Sequence, residues 1–383
     1  MTETLRVGAF GAAVTVKISG LTAEQLDTLR SSWSRCKPSA TTSARTAAVR
    51  ASVSSSASAE PTLRSGRRIT ARDPIVLADT LTTRITQELI DLARRDYLLF
   101  HACALAHPST GAVVALIGPS GRGKTTAAAT LGTRLGYVTD ETVAVAVDLE
   151  VHPYPKPLSV VRPESTVKTQ TSPDELNLVD VSTLPPLRLA AVVLLDRRSD
   201  APRNPTFTPM NLADAIAELV PQISYLTQRP RPLLHLADTI AQTGGIRRLS
   251  YRDAEQLHEP VRKLLSTHAA EHAPAPWAAA PIGSDATTGI RRAPIADAIA
   301  DGHRMIVLHD GIVRVLDGIA PTIWNAAVGV DLRQLADSVI SIHGVPPATE
   351  DSTIDALSLV RAAVNHLASV GLLIDDTRPE VTR

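Results

Sequence analysis

Nine consecutive residues have types and spacing suited to holding a phosphate chain: Gly118, Pro119, Ser120, Gly121, Arg122, Gly123, Lys124, Thr125 and Thr126. They fit G-x-x-x-x-G-K-[ST], in which a tight loop opens a helix. A triphosphate must be wrapped by backbone N–H groups, and glycines at 118, 121 and 123 let the chain curl close with no Cβ in the way. A helix starting near Lys124 aims its free N–H groups and the positive end of its dipole at the same phosphates. Lys124 adds a point charge beside the β- and γ-phosphates, and the Thr125 hydroxyl is placed to ligate Mg²⁺. The spacing therefore predicts nucleotide binding.

The flanking sequence supplies the elements such a loop needs. Ala112–Ile117 is an uninterrupted apolar run that reads as a buried strand, and Thr126–Leu135 has a helical pattern despite Gly132. Upstream, Tyr97–Leu105 reads as a strand joined to the loop strand through the turn residues Pro108–Gly111. Downstream, the strand opening at Gly136 ends in Asp140 and Glu141, where an open α/β sheet gathers its ligands. Phosphoryl transfer needs a base for the acceptor hydroxyl, a metal ligand and positive charge on the moving group. One of these acids could be the base and the other a Mg²⁺ ligand, or the two could be a solvated pair at a strand end.

Composition bounds the rest. The 383 residues allow two or three domains, with a hydrophobic content of 44% and only 3% aromatic residues, so the cores must be built from Ala, Val, Leu and Ile. Lys+Arg and Asp+Glu are both 39, which gives no global electrostatic case for nucleic acid or an anionic membrane. Six lysines against thirty-three arginines make each lysine worth asking about. The two cysteines, Cys36 and Cys103, cannot build a disulfide framework or a tetrahedral metal site. No segment reaches the roughly 20 apolar residues of a membrane span, and the N-terminus lacks a signal-peptide pattern, so a cytoplasmic soluble protein is expected.

Along the chain, residues 5–20 read as one or two strands, and 22–33 as a helix opened by Thr22 and Gln25. Residues 37–70, rich in Ser, Ala, Thr and Arg, read as a mobile stretch within an N-terminal region 1–73. Residues 74–268 read as a nucleotide-binding domain, with a helix over 78–94, a buried strand Leu187–Asp196, helices at 212–220 and 233–243, a strand at 244–251 and a helix at 253–265. Three prolines keep 151–159 extended. Residues 269–302 read as an Ala/Pro/Gly-rich linker, and 303–383 as a second unit beginning with a hairpin turned at Asp310-Gly311.

The His101-Ala-Cys-Ala-Leu105 strand, the loop Gly118–Thr125 and the pair Asp140-Glu141 resemble the catalytic core of HPr kinase/phosphorylase and its relatives, over roughly residues 95–255. The resemblance implies a P-loop mixed α/β sheet flanked by helices, ATP and Mg²⁺ as cofactors, Asp140 as base, Glu141 as metal ligand and His101 as a neighbour of the phosphates. His152-Pro-Tyr-Pro-Lys-Pro-Leu-Ser159 is similar to a segment common among these relatives, in which Lys156 could reach a phosphate, or could be a surface lysine beside prolines. Asp196 is a second candidate for the metal, or a strand terminator if Asp140 holds that role. The second acid here is Glu, no HPr-binding loop is found, and the N-terminal region does not resemble the usual regulatory domain.

Residues 303–376, with Val315–Ala326 and Leu367–Ile374, resemble PqqD-like domains. That resemblance implies a small α+β winged-helix-like fold holding a leader peptide along a strand edge. Trp324 reads as core. Arg304, Arg314, Arg333 and Arg361 form no basic run, which disfavours nucleic acid. The combined expectation is an ATP-dependent kinase acting on a hydroxyl, such as a Ser of a peptide or protein docked by the C-terminal unit, with self-association left open. The alternatives are an ATP-binding or ATP-hydrolysing sensor without phosphotransfer, and a small-molecule kinase.

Overall fold

The computed structural model describes residues 2–38, 45–56, 62–64, 67–161, 168–266, 277–345 and 355–376. The chain forms two compact units: one holds residues 1–210, 222–228 and 242–272, the other 211–221, 229–241 and 273–383.

The first unit begins with a five-stranded sheet. Strands Thr2–Ala9 and Ala12–Ser19 form a hairpin closed by Phe10 and Gly11, both at positive φ (55° and 67°), the geometry that matches strand twist in a two-residue turn. Thr22 and Gln25 form the expected capping box on helix Ala23–Ser32. The stretch expected to be mobile instead contributes strands Thr46–Val53 and Arg68–Ala71, paired in parallel beyond Ala12–Ser19. Ala47, Val49, Ala51 and Ile69 alternate inward and are buried; residues 39–44, 57–61 and 65–66 of that stretch lie outside the described residues. Helix Pro74–Ala93 starts where Asp73 accepts the N–H groups of Ile75 and Val76. Its Leu77, Leu81, Ile85 and Leu89 join the sheet's inner face in one core with Phe10, Trp33 and Tyr154, so the described strands and helix of the N-terminal region are packed into this unit.

The central sheet of the same unit is α/β. Its main order is Val151–His152, Thr142–Val145, Leu98–Ala106, Ala112–Ile117, Arg188–Arg197, Ile246–Tyr251 and Thr206–Pro209. Leu98–Ala106 and Ala112–Ile117 form the expected antiparallel hairpin, while Arg188–Arg197 runs parallel to Ala112–Ile117 on its other side. The loop strand is thus central, which its unbroken apolar run requires. Helices Lys124–Gly132 and His258–Ser266 cover one face through Ala127, Leu131, Val261 and Leu265.

The second unit carries a four-stranded antiparallel sheet, Trp277–Ala279, Asp297–Asp301, Arg304–His309 and Ile312–Leu316 in that order, and a three-stranded one built on Ile290–Arg292. The stretch expected as linker thus carries three strands of this unit, Trp277–Ala279, Ile290–Arg292 and Asp297–Asp301, while 267–276 lie outside the described residues. Asp310 and Gly311 turn the hairpin at φ 50° and 74°, as the sequence predicts. Helices Ala320–Ala326, Leu332–His343 and Ala356–Ser369 enclose a core around the fully buried Trp324. Helices Leu212–Leu219 and Pro232–Gln242, expected with the nucleotide domain, fall almost wholly within this unit. No helix among the described residues is long and apolar enough to cross a membrane.

Candidate functional site

The loop leaves the sheet at the buried Ile117 and enters helix Lys124–Gly132 through Gly123. Gly121 and Gly123 sit at φ +82° and +85°, where an L side chain is strained, so these two glycines are conformationally required. Pro119, Ser120, Gly121, Arg122 and Thr126 are exposed, Gly118 and Lys124 buried, and Thr125 is intermediate. The helix's first turn carries no acid to cancel its dipole. Two long-range bonds pin the loop: Tyr251 Oη donates to the Arg122 carbonyl at 3.1 Å, and Arg122 Nη1 donates to the Arg197 carbonyl at 3.4 Å. Lys124 folds back onto the loop, with Nζ 2.5 Å from the Gly118 carbonyl and 3.3 Å from that of Pro119. Burial pushes its pKa down, against the opposing pull of Cys103, Glu141 and Asp140.

Strand Leu98–Ala106 brings the remaining candidates to the same end of the sheet. On one side Ala102 faces Ile117, the residue before the loop; on the other, Ala104 faces Thr139 and His101 faces Thr142. The Ala102 N–H donates to the Glu141 carbonyl at 3.1 Å, and Thr139 Oγ1 accepts the N–H groups of Glu141 (3.2 Å) and Thr142 (3.4 Å). The acid pair therefore sits on a tight, hydrogen-bonded turn one strand from the loop. The His101 ring reaches solvent, and its pKa is lowered, first by desolvation among its packed surroundings and then by the Lys124 charge. Cys103, buried on the same strand, is pushed up to about 12 by burial and by Asp140.

Lys156 is where the structure departs most from expectation. It is 1% exposed, so it is not a surface lysine. Its Nζ lies 2.8 Å from Asp140 Oδ1 and 3.2 Å from Glu141 Oε2, and donates to the Pro157 carbonyl at 3.0 Å. The Tyr137 hydroxyl lies 3.1 Å from both Asp140 Oδ1 and the Lys156 carbonyl, so its one proton is shared between them. The proline-rich segment is tied to the sheet through the Tyr154 N–H, which donates to the Val138 carbonyl at 3.0 Å. Burial alone would lower the Lys156 pKa; the charges and hydrogen bonds of Asp140 and Glu141 overcome it and hold the ammonium charged.

Asp196 stands two residues beyond Leu194, which faces Ile117, and is already occupied: Arg198 Nε is 3.0 Å from Oδ2, and the Ser250 hydroxyl donates to the same oxygen at 3.1 Å. For Mg²⁺ the available donors are all oxygens, as that ion prefers. The Thr125 hydroxyl makes no hydrogen bond among the described residues, and Glu141 is half-buried with only Oε2 against Lys156. No group of three or more His, Cys, Asp or Glu among the described residues could hold a metal alone. The residues thus fit an ion whose shell is completed by phosphate oxygens and water rather than an all-protein cage.

Sequence reasoning brought the loop, His101, Asp140 and Glu141 together and missed their supports. Lys156 and Tyr137 complete the acid cluster, and Tyr251 fixes the loop. The scarcity of lysine marked Lys156 as unusual, but nothing in its prolines said which way it faced.

No family model matches the chain, and no curated protein matches it. Among solved structures the chain is similar to the Hpr(Ser) kinase/phosphatase from Coxiella burnetii, at 11% identity and a TM-score of 0.26, over 44% of this chain and 95% of that one. A likeness at that TM-score carries no argument about chemistry.

Proposed function

We propose that the chain binds ATP with Mg²⁺ at Gly118–Thr126 and transfers the γ-phosphate to the hydroxyl of a peptide or protein. The observation that carries this reading is geometric: Lys124, His101 and the adjacent Asp140 and Glu141 come from three places in the sequence, and strand pairing and the loop bring them to one end of one sheet. Positive charge at a helix start beside a carboxylate pair is what in-line phosphoryl transfer uses.

In this reading Lys124 exchanges the Gly118 and Pro119 carbonyls for β- and γ-phosphate oxygens. Asp140 exchanges one of its present partners for the acceptor hydroxyl and takes its proton as the new O–P bond forms. The bond from the γ-phosphorus to the bridging oxygen breaks, and ADP leaves with that electron pair. His101, uncharged near neutrality because its pKa is depressed, flanks the phosphates without adding charge. Mg²⁺, held by Thr125 and Glu141, would neutralise phosphate charge. The C-terminal unit would hold the peptide by strand addition: Ile312–Leu316 is last in its sheet, and its Ile312 and Val315 are exposed.

The test is γ-labelled ATP with Ser-containing peptides. Asp140→Asn should keep ATP binding and lose transfer by roughly 10²–10⁴-fold, whereas Lys124→Ala should lose binding. Wild-type transfer by Asp140→Asn would remove Asp140 from the base role. The commitment of Asp140 to Lys156 and Tyr137 favours a second reading, in which the chain binds or hydrolyses ATP and the acid pair is an anchor. Under that reading no peptide is labelled, and Asp140→Asn chiefly lowers stability.

A further inference from the structure

The N-terminal sheet has one face packed under helices and one face open. The strand register puts Thr4, Lys17, Arg50 and Arg68 in one row across four strands. Beside it runs Arg6, Thr15 and Ala48, and on the other side Thr2, Ser19, Ser52 and Thr70. Every described position of these rows is a hydroxyl, a cation or alanine. Among the described residues, the carboxylate that meets a cation at this pocket is Glu88, which is buried and takes Arg67 at 3.2 Å. Lys17, Arg50 and Arg68 have no carboxylate partner among the described residues.

That arrangement is unfavourable by itself. Neighbouring strands lie about 4.8 Å apart, and like charges directly opposite destabilise a sheet. In a chain whose net charge is zero, three unpaired cations in register are a local concentration, not a reflection of composition. The small side chains of Thr15 and Ala48 leave a depression of about 390 Å³ walled by Lys17, Arg50, Arg67 and Arg68. A cavity of that size suits a small ligand, and guanidinium, ammonium and hydroxyl donors are the groups that hold phosphate oxygens. No aromatic side chain lies in the rows to stack a base, so a single-stranded nucleic acid fits less well.

We infer that this open face is a second anion site, separate from the Gly118–Thr126 loop, that takes a compact polyphosphate. The bound anion would remove the repulsion within the Lys17–Arg50–Arg68 row.

Inorganic tripolyphosphate is titrated calorimetrically at low salt into the full chain and, to remove the loop as a competing anion site, into its Lys124→Ala variant. Binding should persist, weaken as salt rises, and fall roughly tenfold for each cation removed in Lys17→Gln, Arg50→Gln and Arg68→Gln. Lys124→Ala should leave this site unchanged, so failure of the nucleotide reading and failure of this one are distinguishable. Arg50→Thr is the folding control, and relief of repulsion should raise its Tm. Unchanged affinity in the triple variant overturns the proposal, as does binding lost only with Lys124→Ala. Tighter, row-dependent binding of a single-stranded oligonucleotide or of poly-glutamate than of tripolyphosphate overturns the small-ligand assignment.

Discussion

Lys156 and Asp140, sixteen residues apart, meet as a buried ion pair at 2.8 Å with side chains 2% and 3% exposed. Removing one member strands the other's charge, which typically costs about 3–5 kcal/mol. Lys156→Met should therefore cost about that much in urea denaturation, while Lys156→Met with Asp140→Leu should recover part of the loss. Equal and additive losses from the two single substitutions would show that the pair is not coupled.

The same pair sets an alkaline limit. Asp140 and Glu141 hold the folded Lys156 pKa above its ordinary 10.5. The stabilisation is complete below that unfolded value and is lost as pH rises through the folded one. Urea midpoints should be insensitive to this group up to about pH 10 and fall above it. Lys156→Met should lack that part of the alkaline decline; identical profiles would contradict the pairing.

His101 should titrate below 6.5, because desolvation and the Lys124 charge both disfavour imidazolium. Proton NMR of the ring gives the midpoint directly. Lys124→Ala should move it up and Asp140→Asn down, since Asp140 acts in the opposite sense. A midpoint that ignores Lys124 would separate the histidine from the loop.

Neither cysteine should react in the native protein. Burial pushes both thiols up, Cys103 to about 12, so thiolate is negligible at pH 8. Labelling with a thiol-specific disulfide reagent should begin only as denaturant opens the core. Fast labelling of either in buffer would mean that its strand or loop opens locally.

In the second unit, Trp324 is fully buried and its Nε1 donates to the Pro281 carbonyl at 3.1 Å. Trp324→Ala should cost about 3–5 kcal/mol, read as an earlier loss of near-ultraviolet dichroism.

The Gly118–Thr126 loop was legible in the sequence because its requirements are local: Gly121 and Gly123 at positive φ, a strand before and a helix after. The Thr22–Gln25 cap and the Asp310-Gly311 turn were legible for the same reason. Residues 46–53 were not, because their inward positions are mostly alanine, whose alternation with Thr, Arg and Ser is a weak signal. Strands at 277–301 were hidden by the same alanine, with proline and glycine between them. The facing of Lys156 stayed open because its environment is made by Tyr137, Asp140 and Glu141, and a proline-flanked extended segment has no period from which a direction can be read. Composition likewise spread thirty-nine cations over the chain and could not reveal that register lines three of them up.

The bond from Tyr251 to the Arg122 carbonyl spans 129 residues. A ribosome adding about 5–20 residues per second releases Arg122 on the order of ten seconds before Tyr251. A nascent chain halted in that interval carries the whole Gly118–Thr126 loop but lacks strand Ile246–Tyr251 and the hydroxyl that fixes it. The anchored form of the loop is thus available only once residue 251 has been made, and fragments ending before it would contain the motif without its anchor.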